Sequence, residues 1–147
     1  GDWSSDVCSS DLAGGEYGAA TGRPRRVGPF DCVASRYGLA CQGADKIALT
    51  KLDVLSSMKE IPVITGYKMD GVEVPRFDTL SDLDRVEPVV TMLPGWNQDI
   101  SGCQSWEELP KEAKAYVEFL EKELGHEIQF VSTGAEREKF VLKGEWL

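Results

Sequence analysis

The chain of 147 residues lacks several features that would point to a familiar chemistry. Its single histidine, His126, has no second histidine or cysteine at metal-ligand spacing. Neither of the phosphate-loop patterns G-x-x-x-x-G-K-[ST] and G-x-G-x-x-G occurs. No segment reaches the roughly 18 apolar residues that a membrane-spanning helix requires. The sequence therefore predicts no metal site of its own and no membrane partner.

Positive charge is also scarce. Lysine and arginine total 16 against 25 aspartate and glutamate residues, which gives a formal net charge of -9. This balance is the opposite of the basic surface that DNA- and RNA-binding proteins present, so we expect no nucleic-acid partner. The four cysteines include no C-x-x-C pair. They predict neither a disulfide framework nor a zinc site, and they fit a reducing, cytoplasmic location.

The first twelve residues, G-D-W-S-S-D-V-C-S-S-D-L, have neither hydrophobic periodicity nor the layout of a signal peptide. They resemble the conceptual translation of a common sequencing adapter. We therefore expect residues 1–12 to be a non-native leader, the alternative being an ordinary disordered N-terminus. Residues 13–147 are then the expected native part of the chain.

Within that part, helical and strand patterns alternate. Apolar residues recur at helical spacing from Phe30, and they predict an amphipathic helix that stops at Gly43. They are Phe30, Val33, Ala34, Tyr37 and Cys41. Ser105 and Glu108 form a predicted capping box, and Pro110 is placed to open a second helix that ends at Gly125. The expected buried face of that helix is Ala113, Tyr116, Val117, Leu120 and Leu124. The expected strands are 47–49, 61–67, 72–74, 86–92, 128–131 and 140–142, with an Asp70-Gly71 hairpin turn. The pattern is that of an α/β fold.

Two of the predicted strands end on polar residues. The first runs K-I-A-L-T-K-L-D (46–53) and the second F-V-S-T-G (130–134). Ligands of α/β sheets collect at the carboxyl ends of strands. Asp53 could accept both N1–H and the N2 amine of guanine, Lys51 could lay its stem over the purine, and the Ser-Thr-Gly turn offers backbone N–H groups. The alternative is a strand end with a solvated lysine and a helix-capping aspartate.

An arginine-rich loop precedes these strands. Its sequence is E-Y-G-A-A-T-G-R-P-R-R (16–26), with Arg23, Arg25 and Arg26 around Pro24. Guanidinium groups bind phosphates and carboxylates through two parallel hydrogen bonds. On an acidic chain this cluster indicates a site for small anions. The alternative is a solvated basic patch.

Four segments together carry a family resemblance. They are G-A-A-T-G-R-P-R-R-V-G-P-F-D, A-L-T-K-L-D-V-L, E-P-V-V-T-M-L-P-G-W and F-V-S-T-G-A-E-R. In order and spacing they resemble the C-terminal part of adenylosuccinate synthetase, from about residue 15 to residue 142. That family joins IMP and L-aspartate into adenylosuccinate while hydrolysing GTP, the first committed step from IMP to AMP in purine biosynthesis.

The resemblance implies roles for individual residues. The mobile loop over aspartate would be Ala19, Ala20, Thr21, Gly22, Arg23, Pro24 and Arg25. Thr21 and Arg23 would hold the aspartate carboxylates, Arg23 would also touch IMP, and Arg25 would reach toward GTP. The guanine pocket would be lined by Lys51, Leu52 and Asp53 on one side and by Ser132, Thr133 and Gly134 on the other. Ala20 stands where the family usually has a second threonine, so one hydroxyl contact to aspartate is lost.

The resemblance also implies what this chain does not supply. The family's catalytic acid and base, its phosphate loop and its Mg²⁺ ligand lie in N-terminal segments that we expect to be missing here. Residues 13–147 would be the C-terminal portion of a mainly parallel-sheet, P-loop-NTPase-like fold, incomplete and without turnover, from a homodimeric ligase. The rival expectation is a stand-alone, non-catalytic guanine-nucleotide-binding module.

Overall fold

The computed structural model describes residues 14–74 and 85–144. The expected leader, residues 1–12, lies outside the described residues. The helices and strands, in chain order, are β1 (Phe30–Asp31), α1 (Cys32–Gln42), β2 (Lys46–Leu49), β3 (Glu60–Met69), β4 (Val72–Val74), β5 (Val86–Pro94), α2 (Lys111–Leu124), β6 (Glu127–Ser132) and β7 (Phe140–Leu142). Short 3-10 helices cover Leu52–Leu55 and Trp106–Glu108. The α/β prediction is confirmed.

The strands form two mixed sheets. In the first, β3 pairs in parallel with β1 and antiparallel with β4 and β5. In the second, β6 pairs in parallel with β2 and antiparallel with β7. Among the described strands, three pairs are therefore antiparallel and two are parallel. The physical reason is connection length, because β3–β4 and β6–β7 are joined by turns too short for a parallel crossover.

The turn between β3 and β4 is the predicted hairpin. Asp70 and Gly71 both have positive φ, at 52° and 80°. Two consecutive residues in this region define the type I′ turn, whose twist matches that of the flanking strands. Aspartate followed by glycine is among the pairs that adopt it at least cost, which is why the sequence alone located this turn.

Helix α1 begins later than its apolar spacing predicted. Phe30 lies in β1 and pairs with β3, so its assignment to the helix was wrong. Asp31 is the N-cap, and its Oδ1 accepts a hydrogen bond from the backbone N–H of Ala34 at 2.9 Å. The cap keeps the backbone extended at residue 31 and holds the start of the helix at the next residue. The helix ends at Gly43, as predicted, with a φ of 63°.

Helix α2 has the predicted buried face. The residues that it buries are Ala113, Tyr116, Val117, Leu120 and Leu124. Gly125 ends the helix in the left-handed conformation, with φ at 68°. Spacing of three and four residues puts these side chains on one stripe, and that stripe packs against β6 and α1.

The predicted capping box is wrong. Ser105 makes no side-chain cap bond, because a 3-10 helix at Trp106–Glu108 separates it from α2. The Glu108 carboxylate instead accepts a hydrogen bond from the backbone N–H of Gln104 at 2.8 Å. Helix α2 starts after Pro110, as predicted, with that proline as its N-cap.

One buried cluster joins the two sheets and both helices. It includes Cys32 of α1, Leu49 of β2, Val63 of β3, Leu120 of α2 and Val131 of β6. Burial of these apolar side chains is the main favourable term in folding. The cluster holds the carboxyl end of β2 in a fixed place relative to β6, and the candidate site lies at that end.

The segment after β5 is anchored by an aromatic side chain. Trp96 is buried, its indole N–H donates to Ser56 Oγ at 3.1 Å, and its ring lies 6.0 Å from that of Tyr116. The preceding Gly95 approaches the backbone so closely that a Cβ there would lie 1.9 Å from the carbonyl oxygen of Met58. Only glycine fits at this position without moving the chain.

The close approach at Gly95 predicts a large loss of stability for Gly95→Ala. The new methyl group must push the β5 end away from Met58, so the free energy of unfolding should fall by at least about 2 kcal/mol. Urea denaturation of the purified chain measures it. Gly102→Ala is the control, because a Cβ at Gly102 meets nothing within 4 Å. Equal stability of the two variants would contradict the close approach.

Candidate functional site

The two polar strand ends lie at the same edge of one sheet. Strands β2 and β6 are adjacent and parallel, and Leu49 pairs with Val131 at the last register position of β2. The chain therefore leaves β2 toward Lys51 and β6 toward Thr133 at the same edge of the sheet. The structure thus brings together the two segments that the sequence singled out.

The first of these segments turns sharply after β2. Lys51 adopts a left-handed backbone conformation, with φ at 62°, and the 3-10 helix Leu52–Leu55 follows at once. Asp53 lies inside that helix, and the helix has no side-chain cap bond. Asp53 Oδ1 is buried and has no hydrogen-bond partner among the described residues. This placement does not match the alternative of a helix-capping aspartate.

The second segment is a tight turn at the end of β6. Ser132 Oγ donates to the carbonyl oxygen of Gly134 at 3.0 Å, and the Thr133 N–H donates to the carbonyl oxygen of Lys139 at 2.9 Å. Thr133 is fully buried, yet its Oγ1 has no partner among the described residues. A Cβ at Gly134 would lie 2.9 Å from Lys139 Cβ, so glycine is required by the close packing.

Asp53 Oδ1 and Thr133 Oγ1 are thus two unpartnered polar atoms that follow neighbouring strand ends. A buried polar atom without a hydrogen bond costs free energy, and native proteins leave few of them. Such atoms therefore indicate a place where a polar ligand or an ordered water supplies the missing bonds. The arrangement is suited to a group with hydrogen-bond donors that face a carboxylate.

The arginine-rich loop is a small hairpin. The backbone N–H of Gly18 donates to the carbonyl oxygen of Arg23 at 2.8 Å, and that of Arg25 donates to the carbonyl oxygen of Glu16 at 2.9 Å. Gly22, with φ at 62°, reverses the chain and donates to Gly18 at 2.8 Å. We call residues 16–26 the arginine hairpin. Its tip, residues 19–22, is exposed.

The arginines of the hairpin differ in their partners. Arg25 Nη1 lies 3.6 Å from a carboxylate oxygen of Glu16. Arg23 and Arg26 are exposed, and no carboxylate of the described residues pairs with either. The Thr21 hydroxyl lies near the backbone of Arg23, 3.4 Å from its nitrogen. Two guanidinium groups are therefore available to external anions.

Glu16 connects the hairpin to the end of β2, and sequence reasoning missed it. Its carboxylate forms an ion pair with Lys51, whose ammonium also donates to the carbonyl oxygen of Gly14 at 3.0 Å. The hydrogen bond and charge of Lys51, with a smaller contribution from Arg25, lower the pKa of the Glu16 carboxyl below its ordinary value of 4.5. The sequence did offer one signal for this role, because Glu16 is an acidic residue at the start of an otherwise basic loop.

An apolar cavity of about 230 Å³ lies beneath these contacts. Its walls include Val27 at the hairpin foot, Lys51 and Leu52 after β2, and Tyr116 of α2. Burial raises the pKa of the Tyr116 hydroxyl, which therefore stays protonated. Asp53 and residues 132–134 are not among the walls, so the two strand ends share an edge without sharing this cavity.

Comparison with known proteins decides the family. The family model described as adenylosuccinate synthetase matches residues 9–141. The chain belongs to the adenylosuccinate synthetase family. The family's enzymes are ligases of purine biosynthesis. Within the described residues no helix is long and apolar enough to cross a membrane, and no group of three or more metal-ligating side chains occurs.

Individual members of the adenylosuccinate synthetase family are similar over most of this chain. The adenylosuccinate synthetases of Pelobacter propionicus and Candida tropicalis are each 47% identical over 131 residues, which is 88% of this chain and 30% and 31% of theirs. The structure of fully ligated adenylosuccinate synthetase from Plasmodium falciparum matches with a TM-score of 0.89 at 33% identity, covering 95% of this chain and 34% of that one. The chain spans about a third of the length of the relatives it matches.

The ion pair at the hairpin foot predicts a low titration midpoint for Glu16. The folded pKa lies below the unfolded value near 4.5, so the ionised carboxylate stabilises the folded hairpin above that pH. The contribution is lost as the pH falls through the lower, folded pKa. A ¹³C NMR titration of the Glu16 carboxyl should show a midpoint below 4.5. Lys51→Met should bring the midpoint back up, and a wild-type midpoint above 4.5 would contradict the pairing.

Proposed function

We propose that this chain supplies the guanine-binding and aspartate-binding part of a GTP-dependent ligase that joins IMP and L-aspartate into adenylosuccinate. The observation that carries the proposal is the contact between the arginine hairpin and Lys51, beside the paired ends of β2 and β6. Two buried polar atoms without partners, Asp53 Oδ1 and Thr133 Oγ1, follow those strand ends and support the proposal.

The guanine end of the site would use the two strand ends. Asp53 accepts the N1–H and the N2 amine of guanine, a donor pair that suits the two oxygens of one carboxylate. Lys51 and Leu52 contact the base from the same side. Ser132, Thr133 and Gly134 approach it from β6, where residue 134 has no side chain. The Thr133 N–H already donates to the carbonyl oxygen of Lys139, so the expected contribution of that N–H is replaced by the unpartnered Thr133 hydroxyl. The unpartnered Oδ1 of Asp53 supports this role.

The anionic substrates would be held by the hairpin. Thr21 and Arg23 bind the carboxylates of L-aspartate, Arg23 also contacts IMP, and Arg25 reaches toward GTP. Ala19, Ala20, Gly22 and Pro24 complete the loop, and Ala20 contributes no hydroxyl. The exposure of Arg23 supports this assignment, since a guanidinium with no partner in the described residues is ready for a carboxylate.

In this reaction GTP phosphorylates the 6-oxygen of IMP, and the amine of aspartate then displaces that phosphate. The residues of this chain bind and orient the three anionic reactants, which lowers the entropic part of the barrier and offsets their mutual repulsion. We assign no acid–base residue to this chain. Among the described residues no three or more histidine, cysteine, aspartate or glutamate side chains cluster as a metal site, and we assign no step to Mg²⁺ through them.

The remaining part of the catalytic machinery would pair with the open sheet edges. Among the described strands, β1 pairs only with β3 and β2 pairs only with β6, so each has one unpaired edge. Matched relatives are about three times as long as this chain. We propose that strands of the remaining sequence extend both edges into a P-loop-NTPase-like sheet, and that the complete enzyme is a cytoplasmic homodimer.

A chimaeric enzyme tests the proposal. Residues 13–144 replace the matched part of the Pelobacter propionicus relative, and formation of adenylosuccinate from IMP, aspartate and GTP is measured. The chimaera should be active. The isolated chain should bind GDP without turnover, since the acid–base residues and phosphate loop are expected elsewhere. A folded but inactive chimaera, with GDP binding retained, would favour the stand-alone module instead.

Asp53→Asn tests the guanine pocket within that chimaera. Asparagine offers one acceptor and one donor, which mispairs with guanine and matches xanthine, whose N2 amine is replaced by a carbonyl oxygen. Each mispaired buried group costs about 1–3 kcal/mol, so the ratio of kcat/KM for GTP and XTP should move by at least about tenfold toward XTP. Arg23→Leu is the control: it should raise KM for aspartate and leave that ratio unchanged. An unchanged ratio in Asp53→Asn would refute the proposal that Asp53 recognises guanine.

A further inference from the structure

The Glu16 carboxylate contacts both parts of the candidate site at once. One oxygen pairs with the Lys51 ammonium, and the other lies 3.6 Å from Arg25 Nη1. We propose that Glu16 is a positioning residue that fastens the arginine hairpin to the carboxyl end of β2. The consequence for ligand binding rests on the proposed function, whereas the fastening stands on these contacts alone.

The backbone of the hairpin sets up this contact. The Arg25 N–H donates to the Glu16 carbonyl oxygen at 2.9 Å, which makes the two residues neighbours across the hairpin. The Lys51 ammonium also donates to the carbonyl oxygen of Gly14 at 3.0 Å. The Lys51 ammonium thus contacts Gly14 and Glu16, the residues on either side of Gly15. The backbone of Lys51 itself has the left-handed conformation.

Glu16 is the inner member of the group. Its side chain is 23% exposed, against 52% for Lys51 and 60% for Arg25. Without its charge, two cations would face each other with no anion between them, and like charges repel. The hairpin foot would keep the bond from Lys51 to the Gly14 carbonyl oxygen but lose its ion pair, so it would open from the end of β2 more often. The fastening therefore depends on one carboxylate and not on the arginine-rich tip.

Fastening has a consequence for the site. Arg25 and Lys51 stand on different chain segments, and each is proposed to contact the guanine nucleotide. A shared carboxylate fixes the distance between them before any ligand binds, which reduces the ordering cost of binding. Glu16 itself contacts neither substrate in this scheme, and it acts through the two cations.

Limited proteolysis of the 147-residue chain measures the fastening. Trypsin cleaves after Arg25 and Arg26, whereas Pro24 blocks cleavage after Arg23. Glu16→Gln keeps the side-chain length and removes the charge, so hairpin cleavage should accelerate roughly threefold or more, the size expected for exposed ion pairs. The matched control is Glu118→Gln, an exposed carboxylate of α2, which should cleave at the wild-type rate.

Cleavage after Lys122 within α2 serves as the reference in the same reaction. It should stay constant in Glu16→Gln, because opening the hairpin does not unfold the helix. A parallel rise at Lys122 would mean general destabilisation and would overturn the positioning role. Glu16→Asp, which keeps the charge, should recover part of the protection. In the double variant with Lys51→Met the two effects should be less than additive, since the residues act as a pair.

Calorimetric titration with GDP provides the second readout. Glu16→Gln should weaken GDP binding by roughly threefold, because it frees both cations that the nucleotide needs in place. Glu118→Gln should bind as the wild type does. Tighter binding in Glu16→Gln would show that Glu16 competes with the nucleotide for Lys51, which overturns the proposal. If the wild-type chain does not bind GDP, the guanine pocket fails, and the cleavage ratio alone decides the fastening.

Discussion

The parallel pairing of β2 with β6 is the constraint on which the rest of the site depends. Leu49 and Val131, paired at the end of β2, both belong to the buried core, so the register of the two strands cannot slip without exposing apolar surface. That register sends Lys51 and Thr133 out at one edge. The two turns that follow carry Lys51, Asp53 and Thr133, which form the part of the candidate site at the strand ends.

The third part of the candidate site, besides the turns after β2 and β6, is the arginine hairpin, which an ion pair holds in place. The arginine hairpin is short and exposed, and its backbone hydrogen bonds fix its own shape without fixing its position on the protein. Its position comes from Glu16, whose carboxylate reaches Lys51 and Arg25. In the proposed scheme, the foot of the hairpin keeps a constant distance from the strand ends and its exposed tip carries the groups that bind anions. This arrangement suits a loop that binds small anions beside a nucleotide.

Sequence reasoning and structure differ where local rules compete. Helix α2 matched its prediction because every buried residue lies at helical spacing and Gly125 ends the helix. The capping-box prediction failed although Ser105 and Glu108 have the right spacing. Glu108 lies in a 3-10 helix, and its carboxylate accepts a hydrogen bond from the backbone N–H of Gln104. The prediction that Phe30 belongs to helix α1 failed because its backbone pairs with β3, and its helical spacing with the α1 residues is incidental.

The sequence by itself determined the local elements, the turn at Asp70-Gly71 and the kinds of side chain at each strand end, since these depend on residues a few positions apart. Only the tertiary structure decided that β2 lies beside β6, that Asp53 Oδ1 is buried without a partner, and that Glu16 meets Lys51. Glu16 and Lys51 are 35 positions apart, and no periodicity links them. Such contacts follow from how the core packs, because burial fixes which distant segments become neighbours.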